Sequence, residues 1–206
     1  MLDNKGFDMW ANGYDKSVRE CAQSNEYPFA GYKEVLNAIY GRVMSKNGKK
    51  VLDIGFGTGV LTKKLYDSDI EIYGVDFSEE MINLAAPKMP KAVLIKHDFS
   101  KGLPPGLKDK SFDFIICTYA IHHLTDTDKV DFINELMTLL NEDGEILLGD
   151  VAFETRKELE LCRDEAGDDW DNDEIYIVKE ELQKCFPLME FKKISFCAGV
   201  CVIPNK

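Results

Sequence analysis

The sequence predicts an α/β protein: a doubly wound, mostly parallel seven-stranded sheet, with an antiparallel final strand and helices at the N-terminal end. Three observations carry this reading. Between residues 50 and 150, apolar runs of strand length alternate with amphipathic segments of helix length, the rhythm of a parallel sheet wrapped by helices. Val51-Leu52-Asp53-Ile54 runs directly into Gly55-Phe56-Gly57-Thr58-Gly59, a strand feeding a loop in which only glycine lets the backbone turn so sharply. Acidic residues close the next two apolar runs, at Asp76 and Asp98.

The elements follow in order. Tyr27 to Met44 places Phe29, Tyr32, Val35, Leu36, Ile39, Tyr40 and Val43 near helical spacing, and the turn from Lys46 to Lys50 ends it. Strands are expected at Lys50–Gly55, Glu71–Phe77, Ala92–His97, Phe112–Thr118 and Gly144–Gly149. The fourth is apolar almost throughout, as a strand buried on both faces should be. Helices are expected at Val60–Tyr66, Glu79–Ala86 and Asp126–Leu140; Ser78 suits the N-cap of the second, with Glu79 and Glu80 in its first turn. The last fifth changes rhythm. Helices near Thr155–Ala166 and Val178–Phe186 precede two strand-like runs, Phe191–Cys197 and Val200–Ile203, with Ala198-Gly199 as the turn of a closing hairpin.

Bulk properties narrow the function. The 206 residues suffice for one α/β domain over 1–206. Its expected parts are an N-terminal helical lid over 1–47, a ligand-binding core over 48–152, and an acidic helical segment with the hairpin over 153–206. No run approaches the ~20 apolar residues of a membrane helix, and the opening Met1-Leu2-Asp3-Asn4-Lys5 lacks a secretion-signal layout. The six cysteines form no C-x-x-C pair, which argues against a zinc knuckle or a redox pair. A cytoplasmic protein without a membrane partner is expected. The net charge of −12 lacks the basic footprint of a nucleic-acid binder. Residues 154–183 alone hold twelve acidic and four basic side chains. Oligomeric state is not legible.

The strand ends collect the candidate site, because ligands of open α/β sheets bind outside the carboxyl ends of the strands. The first end carries Asp53 and the loop glycines Gly55, Gly57 and Gly59. A dinucleotide fingerprint G-x-G-x-x-G would need glycine at position 60, which is Val60. The second end carries Asp76-Phe77, where a carboxylate can accept both hydroxyls of a ribose. The third carries Asp98-Phe99, suited to an adenine: the acid accepts from its amino group and the ring stacks on the base. The fourth reads Thr118-Tyr119-Ala120-Ile121-His122-His123-Leu124. Each acid alone is also a common turn former; their order in register is what makes them a set.

That set, over residues 50 to 150, resembles class I S-adenosylmethionine-dependent methyltransferases, which are Rossmann-like. The opening Phe7-Asp8-Met9-Trp10-Ala11-Asn12-Gly13-Tyr14-Asp15 is similar to the start of a small-molecule subgroup. The run Thr118 to Asp126 is similar to the fourth motif of the bacterial YrrT-like branch. The resemblance implies S-adenosyl-L-methionine as cofactor, S-adenosyl-L-homocysteine as product and a small-molecule methyl acceptor. It implies that Asp53 and the Gly55–Gly59 loop meet the methionine part, Asp76 the ribose, and Asp98-Phe99 the adenine. Phe77 joins this cofactor set, Tyr119 packs near the sulfonium, and Tyr14 closes over the cofactor. If a base is needed, His122 is the first candidate, since imidazole titrates near neutrality, and Asp150 the second.

Several classes lose ground on the same residues. Amino-group DNA methyltransferases carry a proline motif where Cys117-Thr118-Tyr119-Ala120 stands, and cytosine-C5 enzymes need a Pro-Cys nucleophile where Ile116 precedes Cys117. The fourth strand end offers no metal-binding carboxylate, so no metal is expected. Asp169-Trp170-Asp171-Asn172-Asp173 mimics a calcium loop, but Glu174 stands where that loop requires glycine. Two rivals stay open: a non-catalytic cofactor-binding sensor or scaffold, and an NAD-type oxidoreductase.

Overall fold

A computed structural model of the chain describes residues 26–46 and 48–205. Helix α1 (Tyr32–Ser45) leads into strand β1 (Lys50–Ile54). Then come α2 (Val60–Tyr66), β2 (Glu71–Asp76), α3 (Glu79–Ala85), β3 (Val93–Lys96), β4 (Phe112–Thr118), α4 (Asp126–Met137) and β5 (Leu140–Phe153). The last part holds α5 (Arg156–Ala166), β6 (Ile177–Val178), α6 (Lys179–Cys185), β7 (Glu190–Lys193) and β8 (Ala198–Pro204). The strands form one sheet in the order β3-β2-β1-β4-β5-β8-β7, with β6 paired to β5 off this path. Strands β1 to β5 run parallel, and β8 is antiparallel to both β5 and β7. The expected sheet is therefore present, with two-residue β6 as an eighth strand; the N-terminal helical lid over 1–47 lies mostly outside the described residues.

Side-chain alternation shows why the sheet is wrapped on both faces. Leu52, Ile54, Ile115, Cys117, Ile146 and Leu148 pack in one core with Phe132, Ile133 and Leu136 of α4 and Leu182 of α6. Their neighbours Val51, Phe114, Ile116, Leu147 and Val151 pack in another with Val35, Leu36, Ile39 and Val43 of α1, Leu61 and Leu65 of α2, and Leu159 of α5. Neither core is left open to water, which is what makes the strand runs apolar on both faces. At Gly149 a Cβ would stand 2.5 Å from Val35 Cγ1, so glycine lets α1 lie directly on β5.

Four local expectations are corrected. Helix α1 begins at Tyr32, after Gly31 in the left-handed region (φ 80°), not at Tyr27; Tyr27 is instead stacked on Trp170 at 5.1 Å. Strand β5 runs to Phe153, because β8 pairs with it through Val151↔Ala198 and β6 through Phe153↔Val178. Asp150 thus lies inside the strand, between Leu148 and Ala152 on the α4 face. Val178 ends β6 and helix α6 starts at Lys179. The closing turn is Ile194–Cys197, fixed by Ile194 N–H donating to Ala198 O (2.9 Å) and Ser195 Oγ donating to Ala30 O (2.7 Å), while Ala198-Gly199 belong to β8.

Candidate active site

Right-handed crossovers bring the carboxyl ends of β1, β2, β3 and β4 to one edge of the sheet. The chain leaves β1 through Gly55, Gly57 and Gly59, all at positive φ (68°, 55° and 78°). At Gly55 a Cβ would meet Ala120 Cβ at 2.5 Å, so any side chain there would push the β1 and β4 loops apart. At Gly57 no atom lies within 4 Å of that position, and the loop backbone faces open space.

Beneath the loop, Asp53 is buried. Its Oδ2 accepts from Thr62 Oγ1 (2.6 Å), while its Oδ1 has no hydrogen-bond partner among the described residues. Burial pushes its carboxyl up to about 7; the Thr62 bond works against this and the charge of Asp76 adds to it. Asp76 braces the loop from the next strand: Gly57 N–H donates to its Oδ2 (2.8 Å) and Ser78 N–H to its Oδ1 (2.9 Å). Asp53, Gly55, Gly57, Tyr32 and Tyr119 line a narrow cleft of about 50 Å³. Tyr119 sits at φ 50°. Its N–H donates to Gly149 O at 2.8 Å, and its ring lies against Tyr32 at 5.1 Å and Phe29 at 5.6 Å.

The other expected cofactor residues follow the neighbouring strands β2 and β3. Phe77 is half-buried directly after β2. Asp98 caps the turn after β3: its Oδ1 accepts from Ser100 Oγ (2.6 Å) and its Oδ2 pairs with Lys101 (2.9 Å). Burial raises its carboxyl, but these bonds outweigh it and hold the group below the usual range. Phe99 points into the core and stacks on Phe132 at 5.5 Å. Tyr14 lies outside the described residues.

A second cluster stands three residues beyond Tyr119. His122 Nδ1 is 2.7 Å from Asp150 Oδ1, and its Nε2 is 3.4 Å from Glu174 Oε1. Burial lowers the basicity of His122, yet the charge and hydrogen bond of Asp150 together with Glu174 raise it overall, against Lys129. His123 packs edge-on at 4.3 Å between ring centroids. Its ring is driven down to about 4 by burial and by the His122 charge. Glu174 is raised, first by burial. Tyr176 Oη donates to Glu174 Oε2 (2.7 Å) and also meets the Tyr27 hydroxyl. Ile175 N–H donates to His122 O (2.9 Å), which ties this segment to the β4 loop.

The fold thus gathers the glycine loop, Asp53, Asp76 and Tyr119 on one side, and His122 with Asp150 on the other. Sequence reasoning missed Thr62, Glu174, Tyr176 and the buried Lys129. Thr62 has a faint signal, a hydroxyl one turn into the helix behind a glycine loop; Glu174 has none, being one acid among twelve. Chemically, the first side offers an open backbone and an unsatisfied carboxylate oxygen to a cationic ligand. The second offers an imidazole whose orientation is set by a buried carboxylate, the arrangement of a general base. Cys117 is buried, and burial pushes its thiol well up, so it offers no thiolate nucleophile.

Comparison with known proteins agrees with this geometry. A family profile described as a methyltransferase domain matches residues 51–144. An uncharacterized methyltransferase of Anoxybacillus flavithermus is 38% identical over 160 residues, covering 78% of this chain and 72% of that protein. One of Geobacillus kaustophilus is 36% identical over 161 residues, covering 78% and 72%. The crystal structure of a magnesium protoporphyrin IX methyltransferase from Synechocystis, with bound S-adenosylhomocysteine, superposes with a TM-score of 0.71 at 16% identity, covering 99% of this chain and 100% of that one. At that identity the likeness is one of fold. The YrrT-like branch is not singled out by these relatives.

Proposed function

Since this chain belongs to the methyltransferase-domain family, we propose that it transfers a methyl group from S-adenosylmethionine to a small-molecule acceptor. The observation that carries the proposal is the unsatisfied Oδ1 of buried Asp53 beside an open glycine loop. A buried carboxylate oxygen without a partner costs free energy until a donor arrives, and the ammonium of the cofactor's methionine part is such a donor. Asp53 and Gly55, Gly57 and Gly59 would hold that part, and Asp76 the ribose through the lone pairs its loop bonds leave over. Phe77, Asp98 and Phe99 form the base-binding side of the proposal, and Tyr119 and Tyr14 complete the cofactor set. Of these, Phe99 stacks on Phe132 and its Cε1 lies 3.7 Å from where a Gly55 Cβ would stand.

The cofactor supplies a methyl carbon activated by a sulfonium, open to in-line attack by an acceptor lone pair. What this chain adds is alignment and exclusion of water, plus a place for the acceptor's proton. His122 is proposed to take that proton on Nε2, with Asp150 holding Nδ1–H and stabilising the cation that forms. The acidic surface of residues 154–183 favours a neutral or cationic acceptor such as an amine, a thiol or a hydroxylated metabolite. Among the described residues no helix is long and apolar enough to cross a membrane. The five described cysteines are all free, which fits the cytoplasmic setting proposed here.

The test is product formation. Purified protein with S-adenosylmethionine and pools of amines, thiols or hydroxylated metabolites should release S-adenosylhomocysteine. His122→Ala should cut turnover by about 10²-fold or more while leaving cofactor affinity intact. Undiminished turnover in that variant would remove the base role, and no product with any pool would favour a cofactor-binding sensor.

A further inference from the structure

His122, His123 and Glu174 each offer a ligand atom, and among the described residues these atoms all lie within 4.8 Å of one another. The set comes from two distant stretches of chain. The single-turn helix Ile121–His123 supplies the imidazoles, and the segment before β6 supplies the carboxylate. The Ile175–His122 backbone bond (2.9 Å) fixes the two together.

Two features separate this cluster from a simple ion pair. The His122 Nε2 to Glu174 Oε1 distance is 3.4 Å, beyond the 2.7–3.2 Å range of a good N–H···O bond. It matches the roughly 3.4 Å edge of a tetrahedron built on ~2.1 Å metal–ligand bonds. Both groups are also held from behind. Asp150 Oδ1 takes Nδ1 of His122 at 2.7 Å, and Tyr176 Oη donates to the far oxygen of Glu174 at 2.7 Å. Metal-bound histidines characteristically donate their second N–H to a carboxylate, and bound carboxylates are themselves hydrogen-bonded. The surroundings favour a cation as well: among the described residues Asp150, Glu174 and Asp171 face the cluster, opposed by Lys129.

We propose that His122, His123 and Glu174 hold one divalent first-row transition metal ion, with Asp150 and Tyr176 as its outer supports. Two imidazoles and one carboxylate form a borderline donor set, suited to zinc, cobalt, iron or manganese rather than to magnesium or calcium. Three protein ligands leave a coordination position open. That position would take the thiol or hydroxyl of an acceptor: its proton would pass to solvent, one lone pair would bind the metal, and another would remain to attack the methyl carbon. In the loaded protein His122 is then a ligand, and the ion replaces it in freeing the acceptor of its proton. This use of the ion rests on the methyl-transfer reading; the site itself rests on the geometry alone.

The experiment is metal counting on the full chain. Protein stripped with a chelator is dialysed against Zn²⁺, and separately against Mg²⁺, and bound metal is measured by mass spectrometry. The expected result is one Zn²⁺ per chain and no Mg²⁺. His123→Ala and Glu174→Gln should each weaken Zn²⁺ binding at least tenfold, and Asp150→Asn about 10- to 100-fold. Wild-type protein loaded with Co²⁺ should show visible d–d absorption that Glu174→Gln removes. A wild-type chain that keeps no stoichiometric zinc, or variants that bind it undiminished, would overturn the site and leave His122 with its Asp150 bond as the base of the proposed reaction. S-adenosylmethionine titrated into metal-free protein reports separately on the cofactor reading, which fails only if that binding is absent.

Discussion

Asp53 shows how one residue couples stability to the site. Its carboxyl titrates near 7 in the fold and near 3.9 in an unfolded chain. Between those values the folded protein carries a proton that the unfolded chain has lost, so stability falls as pH rises from about 4 to 7 and levels off above. Asp98, Asp113 and Glu145 are held below their ordinary range and work in the opposite sense, so the comparison is made with Asp53→Asn, where their contribution cancels. The unfolding free energy of the wild type relative to that variant should drop between pH 5 and pH 8, by about 3 kcal/mol at most. A pH-independent difference would show that Asp53 is ionised throughout. The acid itself was legible from sequence by its place before the glycine loop. Its unsatisfied oxygen was not, because that depends on Thr62 taking only one side of the carboxylate.

At the scale of elements, the segment between α5 and β6 places Glu174, and aromatic packing holds that segment down. Trp170 stacks on Tyr27 at 5.1 Å and meets Tyr176 edge-on at 5.0 Å. Trp170→Ala should cost about 3 kcal/mol and raise hydrogen exchange over residues 167–177, with the amides of β4 and β5 still protected. Equal loss of protection across the sheet would contradict a locally held segment. The strands at the centre of the sheet were readable because burial on both faces makes each a mostly apolar run. Their ends were less readable. The fifth strand was expected to begin at Gly144, yet β5 begins at Leu140, where the helix was expected to end. Ile194 to Cys197 looks like strand, yet it turns, because the Ala198 carbonyl accepts from both Ile194 and Ser195 N–H groups. Hydrophobic alternation alone cannot see such bonds.

For the whole molecule, the strand order puts the glycine loop, the second-strand acid and the β4 loop on one edge, so residues far apart in sequence serve one site. That placement was legible, since it follows from the parallel rhythm and its crossovers. The pairing of His122 with Glu174 was not, because in sequence Glu174 is one of the many acids of residues 154–183 and only the packed loop selects it. The central claim is that the cleft lined by Asp53, Gly55 and Gly57, with its loop braced by Asp76, is a cofactor site. Calorimetric titration with S-adenosylmethionine, S-adenosylhomocysteine and NAD in parallel tests it most directly. Micromolar binding of the first two, weakened at least about 100-fold by Asp76→Ala, which removes a charged acceptor and the brace on Gly57, is the expected result. Binding of NAD alone, or cofactor binding indifferent to Asp76→Ala, would contradict it.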